Sequence, residues 1–328
     1  MEERSGELRA AIDAVRAACR VCRAVQERMV GAALEKRDKS PVTVADFASQ
    51  AIVCRSLALE LPADPIVAEE ASDELRRESN ARLCDAVVEH VRAEIGAPAS
   101  GEDVLGWIDR GGADAKDGRY WSLDPIDGTK GFLRRAQYAV ALALIEDGEV
   151  VLGVLGCPNL SDADGGRGAL FAATRGGPAR AFALSGAREA GGTRVQVDRI
   201  RSAAQARFCE SVESEHSDQV ESARVAGLLG IASEPLRIDS QCKYAAVARG
   251  DASIYLRMPT REDYREKIWD HAAGKLLVEA AGGRVTDIDG HPLDFGLGAT
   301  LAGNRGIVAT SGAIHDEVLD AVRRARGG

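Results

Sequence analysis

Residues 121–132 read Trp121-Ser-Leu-Asp124-Pro125-Ile126-Asp127-Gly128-Thr129-Lys130-Gly131-Phe132. An apolar stretch beginning near Tyr120 delivers two carboxylates three residues apart, braced by a proline. A glycine, a hydroxyl and a second glycine follow at once. Hard cations such as Mg²⁺ take oxygen ligands and share them with water and phosphate. Asp124 and Asp127 offer two such ligands, and the Ile126 carbonyl offers a third. Gly128 lets the backbone approach an anion, and the amides after it face a phosphate if a helix begins there. Asp-Pro and Asp-Gly are also ordinary turn dipeptides, but the whole string with Thr129 and Gly131 is far rarer.

Outward from this run, the hydrophobic pattern alternates in type. Before it, residues 6–35 read as one helix with Leu8, Ile12, Val15, Cys19, Cys22 and Val25 on one face. A second helix is expected from about Thr43 to Leu61, with Thr43 and Asp46 at capping-box spacing. A short strand covers 65–68 and a third helix 82–96. After the run, 137–145 and 149–156 form a hairpin across Glu146-Asp147-Gly148, and 168–174 pairs with 179–184. Gly191-Gly192 is the expected seam. Beyond it come strands near 206–212, 236–239, 252–258, 283–287 and 306–310, with helices near 217–229, 241–249, 269–281 and 313–325. The first half thus reads as helices on an antiparallel sheet and the second as helices layered on another sheet. The domains are drawn at 1–192 and 193–328.

The chain has 328 residues, 45% hydrophobic, 28% charged and 4% aromatic, with a formal net charge of −9. Its core must be built mainly from Ala, Val, Leu and Ile. The charge excludes the basic footprint of a nucleic-acid binder, and no membrane span is expected. The seven cysteines are odd in number and scattered. They read as reduced thiols of a cytoplasmic protein. Cys19 and Cys22 fall on a buried helical stripe, and no second pair completes a zinc site.

Five acidic residues stand at four ends of expected elements. Asp38 lies in the break before Ser40-Pro-Val-Thr43, Glu69 ends Ile66-Val67-Ala68, Asp124 and Asp127 end the central strand, and Asp270 opens a helix in Trp269-Asp270-His271-Ala-Ala-Gly274. Loops on a rigid scaffold are where binding groups concentrate. Singly, each of these acids reads as a cap or a solvated charge.

Together these segments resemble the signatures of the lithium-sensitive, Mg²⁺-dependent phosphatase superfamily, which includes inositol monophosphatase and fructose-1,6-bisphosphatase. Arg237-Ile-Asp-Ser240-Gln-Cys-Lys243-Tyr, Ile254-Tyr-Leu-Arg257 and Tyr264-Arg-Glu-Lys-Ile-Trp-Asp270 resemble its 3'(2'),5'-bisphosphate nucleotidase branch of plant and fungal type. The likeness runs in order from about residue 30 to 312. It implies a layered α-β-α-β-α sandwich. It also implies that Glu69, Asp124, Asp127, Asp270 and the Ile126 carbonyl hold Mg²⁺, two or three ions in all. Asp38 and Thr129 would activate the attacking water, and Gly128 and Thr129 would cradle the scissile phosphate. His216, Ser240, Lys243 and Arg257 match nucleotide-contacting positions, with Asp270 also at the substrate. The expected reaction removes the 3'-phosphate of 3'-phosphoadenosine 5'-phosphate, and 3'-phosphoadenylyl sulfate is a second expected substrate. That reaction would clear a by-product of sulfate-group transfer.

The chemistry of the residues agrees with this. Phosphate monoesters hydrolyse very slowly unaided, and their transition state needs in-line geometry and charge neutralisation more than a covalent nucleophile. Convergent carboxylates that hold divalent cations suit that need. No Gly-x-Ser-x-Gly elbow or His-Glu-x-x-His argues for another route. Without the resemblance, Lys243 reads as a solvated helix charge and Arg257 as a strand-end charge. His271 reads as a packing group, since Mg²⁺ prefers oxygen. The alternatives left open are the same metal chemistry on an inositol or sugar phosphate, a non-catalytic phosphonucleotide sensor, and an exonuclease on short oligonucleotides. The expected partner is a small phosphorylated nucleotide, with no nucleic acid and no membrane.

Overall fold

The apolar alternation of the central residues builds a seven-stranded sheet in chain order. Its strands are β1 (Ile66–Ala68), β2 (Arg119–Asp127), β3 (Ala139–Glu146), β4 (Glu149–Ser161), β5 (Arg167–Thr174), β6 (Arg180–Ala183) and β7 (Thr193–Arg194). All neighbours are antiparallel except β1 and β2, which run parallel. The computed structural model describes residues 4–29, 40–115, 118–162, 165–185, 191–212, 219–259, 261 and 263–327. The β3–β4 hairpin turns on Asp147 and Gly148, both at positive φ (49° and 78°), the twist that two-residue hairpin loops favour.

The two faces of this sheet are built differently. On β3, Val140, Leu142 and Leu144 face one apolar core, packed with α1 (Ser5–Arg28) and α2 (Ser40–Glu60). Each such side chain contributes about 1.5–3 kcal/mol on burial. Ala139, Ala141 and Ala143 face a second core. That core is shared with α7 (Cys242–Ala248) and α8 (Ala272–Ala280). The small residues let α8 come close: a Cβ on Gly153 of β4 would lie 3.0 Å from the Ala273 carbonyl oxygen.

Beyond α7 and α8 lies a five-stranded sheet in the order β11 (Arg284–Thr286), β12 (Ile307–Thr310), β10 (Ile254–Arg257), β8 (Phe208–Glu210), β9 (Leu236–Arg237). Its outer face carries α6 (Gln219–Leu229) and α9 (His315–Ala325) over a third core containing Phe208, Val225, Leu256, Val308 and Val318. The result is five layers, helix–sheet–helix–sheet–helix. Helix α2 is long and apolar enough to span a bilayer by composition, yet it is largely buried among α1, α3 (Ala81–Ile95), α4 (Gly101–Asp109) and β2.

Some expected boundaries move. Helix α1 ends at Arg28 rather than 35, and residues 30–39 lie outside the described residues. Helix α2 starts at Ser40, so Thr43 and Asp46 form no capping box. Pro41 instead occupies the first turn, where its missing N–H is no loss. Helix α4 has no counterpart in the sequence reading, although Ser100 and Asp103 make a complete capping box. Asp270 closes a 3₁₀ turn, Ile268–Asp270, and α8 starts two residues later. All seven cysteines are unpaired thiols.

Candidate active site

A strand with period two would send Asp124 and Asp127 to opposite faces. The pairing of β2 with β3 removes this conflict. Asp124 pairs with Ala141 and Asp127 with Ala139, so three steps on β2 match two on β3. The extra residue is a bulge at Pro125-Ile126, and proline has no N–H to lose from the ladder. The bulge turns both carboxylates toward the second half. Ser49 of α2 fixes it by donating its hydroxyl to the Pro125 carbonyl at 2.8 Å.

Glu69 arrives beside them. Ala68 pairs with Leu123 in the parallel β1–β2 ladder, so the next residues along, Glu69 and Asp124, are neighbours where both strands end. Gln50 clamps this end of β1. Its side-chain oxygen accepts the Glu70 N–H at 3.0 Å, and its Nε2 donates to the Glu70 and Ile108 carbonyls at 2.7 and 3.0 Å. Asp270 comes from the 3₁₀ turn against β2.

The second half closes on this edge at one narrow contact. Gly128 sits at φ +91°, and a Cβ there would lie 2.9 Å from the Ser240 Cβ. Ser240 itself holds φ +66°, a conformation that is strained for a residue with a side chain. Its hydroxyl accepts the Cys242 N–H at 3.2 Å, and the Gln241 N–H donates to Asp127 Oδ2 at 2.6 Å. Asp127 thereby ties the first turn of α7 to the end of β2.

The cavity so formed holds about 280 Å³ and is lined by Glu69, Asp124, Ile126, Asp127, Gly128, Thr129, Ser240, Lys243, Arg257 and Asp270. Every described residue expected at the site lines it. Asp38 and His216 lie outside the described residues. Lys243 is 5% exposed, not a solvated helix charge. Its ammonium lies 5.2 Å from the Tyr255 ring. Burial lowers its pKa, and Asp127 opposes that.

The acids crowd one another. Burial, then Glu69, Asp127 and Asp270, push the Asp124 carboxyl well above the carboxylate range. Glu69 opens onto the pocket rim. Nevertheless, loss of water, then Asp270, Glu70 and Asp127, push it up to about 8. Asp270 is pushed up to about 6, chiefly by burial, with His271 and Arg257 pulling the other way. Asp124 Oδ1 is buried with no hydrogen-bond partner among the described residues. A set of oxygen donors with mutually repelling charges and an orphaned buried oxygen fits a hard divalent cation.

Sequence reasoning missed three supports. Ser49 and Gln50 hold the two acid-bearing strand ends. Asp46, read from sequence as a capping partner, is a buried carboxylate raised by desolvation and by Glu70 and Glu69. The signal was available in Thr43-Val-Ala-Asp46-Phe-Ala-Ser49-Gln50, four polar residues within one largely apolar stretch of helix. His271 packs as expected: its ring nitrogens meet Tyr244 and Glu266.

Comparison with known proteins agrees with this architecture. The sequence profile of the inositol monophosphatase family matches residues 4–326. The chain is 45% identical over 318 residues to a 3'(2'),5'-bisphosphate nucleotidase of Emericella nidulans, covering 89% of this chain and 90% of that one. A protein of the same name from Schizosaccharomyces pombe is 44% identical over 312 residues, covering 90% and 88%. One from Oryza sativa is 45% identical over 342 residues, covering 98% and 94%. Among solved structures, an inositol monophosphatase from Anabaena superposes with a TM-score of 0.64 at 20% identity, covering 99% of this chain and 97% of that one. Mycobacterium tuberculosis SuhB gives 0.64 at 20% identity, covering 100% and 99%. At that identity the structures speak for the fold, and the sequence relatives narrow the lineage: the chain belongs to the inositol monophosphatase family, in its 3'(2'),5'-bisphosphate nucleotidase branch.

Proposed function

We propose that this chain is a Mg²⁺-dependent phosphomonoester hydrolase that removes the 3'-phosphate of 3'-phosphoadenosine 5'-phosphate, giving AMP and phosphate, and that 3'-phosphoadenylyl sulfate is a second substrate. The observation that carries the reading is one pocket lined by two sets of groups of opposite character. Glu69, Asp124, Asp127 and Asp270 make one, and Ser240, Lys243 and Arg257 make the other. A ligand with two phosphates suits such a pocket better than one with a single phosphate.

Glu69, Asp124, Asp127, Asp270 and the Ile126 carbonyl would hold Mg²⁺. When bound, the metal supplies charge neutralisation and a more acidic water. The chain's own groups do the rest. The Gly128–Thr129 backbone lines the pocket at the start of the short helix α5 (Thr129–Leu133) and offers amides to the scissile phosphate. The Thr129 hydroxyl orients the attacking water, with Asp38 in the sequence reading as its partner. Lys243 and Arg257 meet the second phosphate as fixed cations, Arg257 through its planar fork.

The test is turnover of purified protein with Mg²⁺ on 3'-phosphoadenosine 5'-phosphate, inositol phosphates and fructose 1,6-bisphosphate. The nucleotide should show the highest kcat/KM. A much higher value for an inositol phosphate would refute the nucleotide assignment.

A further inference from the structure

Behind the cationic wall runs a buried chain of polar side chains that the roles above leave unused. Arg257 Nε forms an ion pair with Glu266 Oε2 at 2.7 Å, held by charge rather than by an aligned N–H. The same oxygen lies 3.2 Å from His271 Nε2, and His271 Nδ1 lies 2.8 Å from the Tyr244 hydroxyl. Glu266, His271 and Tyr244 are 4%, 1% and 0% exposed. The chain joins α7, the end of β10 and the segment entering α8. An ionised carboxylate only accepts, so Nε2 carries a proton toward Glu266, and in the neutral ring Nδ1 accepts the Tyr244 hydroxyl. Burial pushes the Glu266 carboxyl up, but His271 and Arg257 outweigh it and hold it below its ordinary range. The Leu301 N–H anchors the Glu266 carbonyl at 2.8 Å.

On its pocket side, Arg257 Nη2 lies 3.5 Å from the Tyr264 hydroxyl and 3.9 Å from Asp270 Oδ2. The guanidinium therefore stands between two acids. One is Glu266, which does not line the pocket. The other is Asp270, which does. Attraction falls with distance, and Glu266 is the nearer by more than an ångström. Without Glu266, Arg257 would settle onto Asp270, where its charge would serve neither wall.

We propose that Glu266 is a positioning residue for substrate selection: it holds Arg257 against the pocket wall, facing the phosphate that is not cleaved, and keeps it off Asp270. This rests on the reading that Arg257 receives the second phosphate. The readout is the ratio of kcat/KM for 3'-phosphoadenosine 5'-phosphate to that for adenosine 3'-phosphate, which has the scissile phosphate but no second one. Glu266→Gln should lower this ratio about tenfold or more, mainly through KM of the bisphosphate. Glu266→Asp keeps the charge and should show a smaller fall. In an Arg257→Ala background, adding Glu266→Gln should change the ratio no further. A wild-type ratio near one would overturn the assignment of Arg257, and the Glu266 role with it. A large wild-type ratio that survives Glu266→Gln would overturn the Glu266 role alone, as would equal losses on both substrates. If Glu266→Gln does not fold, Glu266→Asp decides, and an unchanged ratio there counts against the proposal.

Discussion

The two walls of the pocket handle charge in opposite ways. The acidic wall, carried mostly by the ends of β1 and β2, is only partly compensated: burial and then neighbouring acids raise Glu69 and Asp124, and Asp124 keeps an oxygen in the interior that no described residue bonds. The basic wall, carried by α7 and β10, has its counter-charges built in. Arg257 is paired with Glu266, and Lys243 lies over Tyr255 with Asp127 in its field. A wall that is strained alone waits for something to bind, whereas a wall that is already balanced sets orientation. The acidic side should therefore govern rate and metal dependence, and the basic side affinity and choice of substrate.

The strongest test of this division is Asp127→Asn. Turnover should fall by about 10³-fold or more with little change in Tm, because the amide oxygen can still accept the Gln241 N–H. A large drop in Tm with much activity retained would contradict the division. On the other wall, Arg257→Ala or Lys243→Met should raise KM for the bisphosphate by about 10- to 100-fold and change kcat far less. Steady-state kinetics separates the two patterns.

Gly128→Ala probes where the walls meet. The new methyl would press on Ser240 in a backbone conformation unfavourable to alanine, so a cost of about 1–3 kcal/mol is expected, read by denaturant unfolding. The smallest effect concerns pH. The folded carboxyls of Glu69 and Asp270 are raised to about 8 and about 6 from 4.5 and 3.8, so the metal-free folded chain binds more protons than the unfolded one in that interval. Their contribution is complete below the unfolded values and is lost as pH rises through the folded ones. Tm in EDTA should therefore fall from about pH 5 to 8, and added Mg²⁺ should restore more at pH 8 than at pH 5. Identical slopes with and without Mg²⁺ would place the cation elsewhere.

Much of this was legible in the sequence. The Asp124–Gly131 run, Glu69, Asp270 and the Ser240, Lys243 and Arg257 positions all come to one cavity. Hairpins and helices with clear periods fell near their expected places. What stayed hidden depends on packing rather than pattern. That both Asp124 and Asp127 face the pocket follows from a bulge visible only in the ladder with β3. Asp46 read as a capping partner, and Ser49 and Gln50 had no evident role until the strand ends these two hold were seen beside them. Lys243 read as a solvated charge because charge alone does not reveal a buried environment. Helix α4 was overlooked for a different reason. It is short, and its capping box stands among Gly, Ala and Pro residues that read as loop.

Helix α2 carries a consequence for the chain's synthesis. Its stripe is covered by β2 and by α3 and α4, all of which leave the ribosome after it. During that interval, a segment apolar enough to enter a bilayer has only α1 for company. The nascent polypeptide is thus more exposed to capture by chaperones or insertion machinery than the finished molecule, and fragments cut short before Arg119 should be sticky where the full-length product is not.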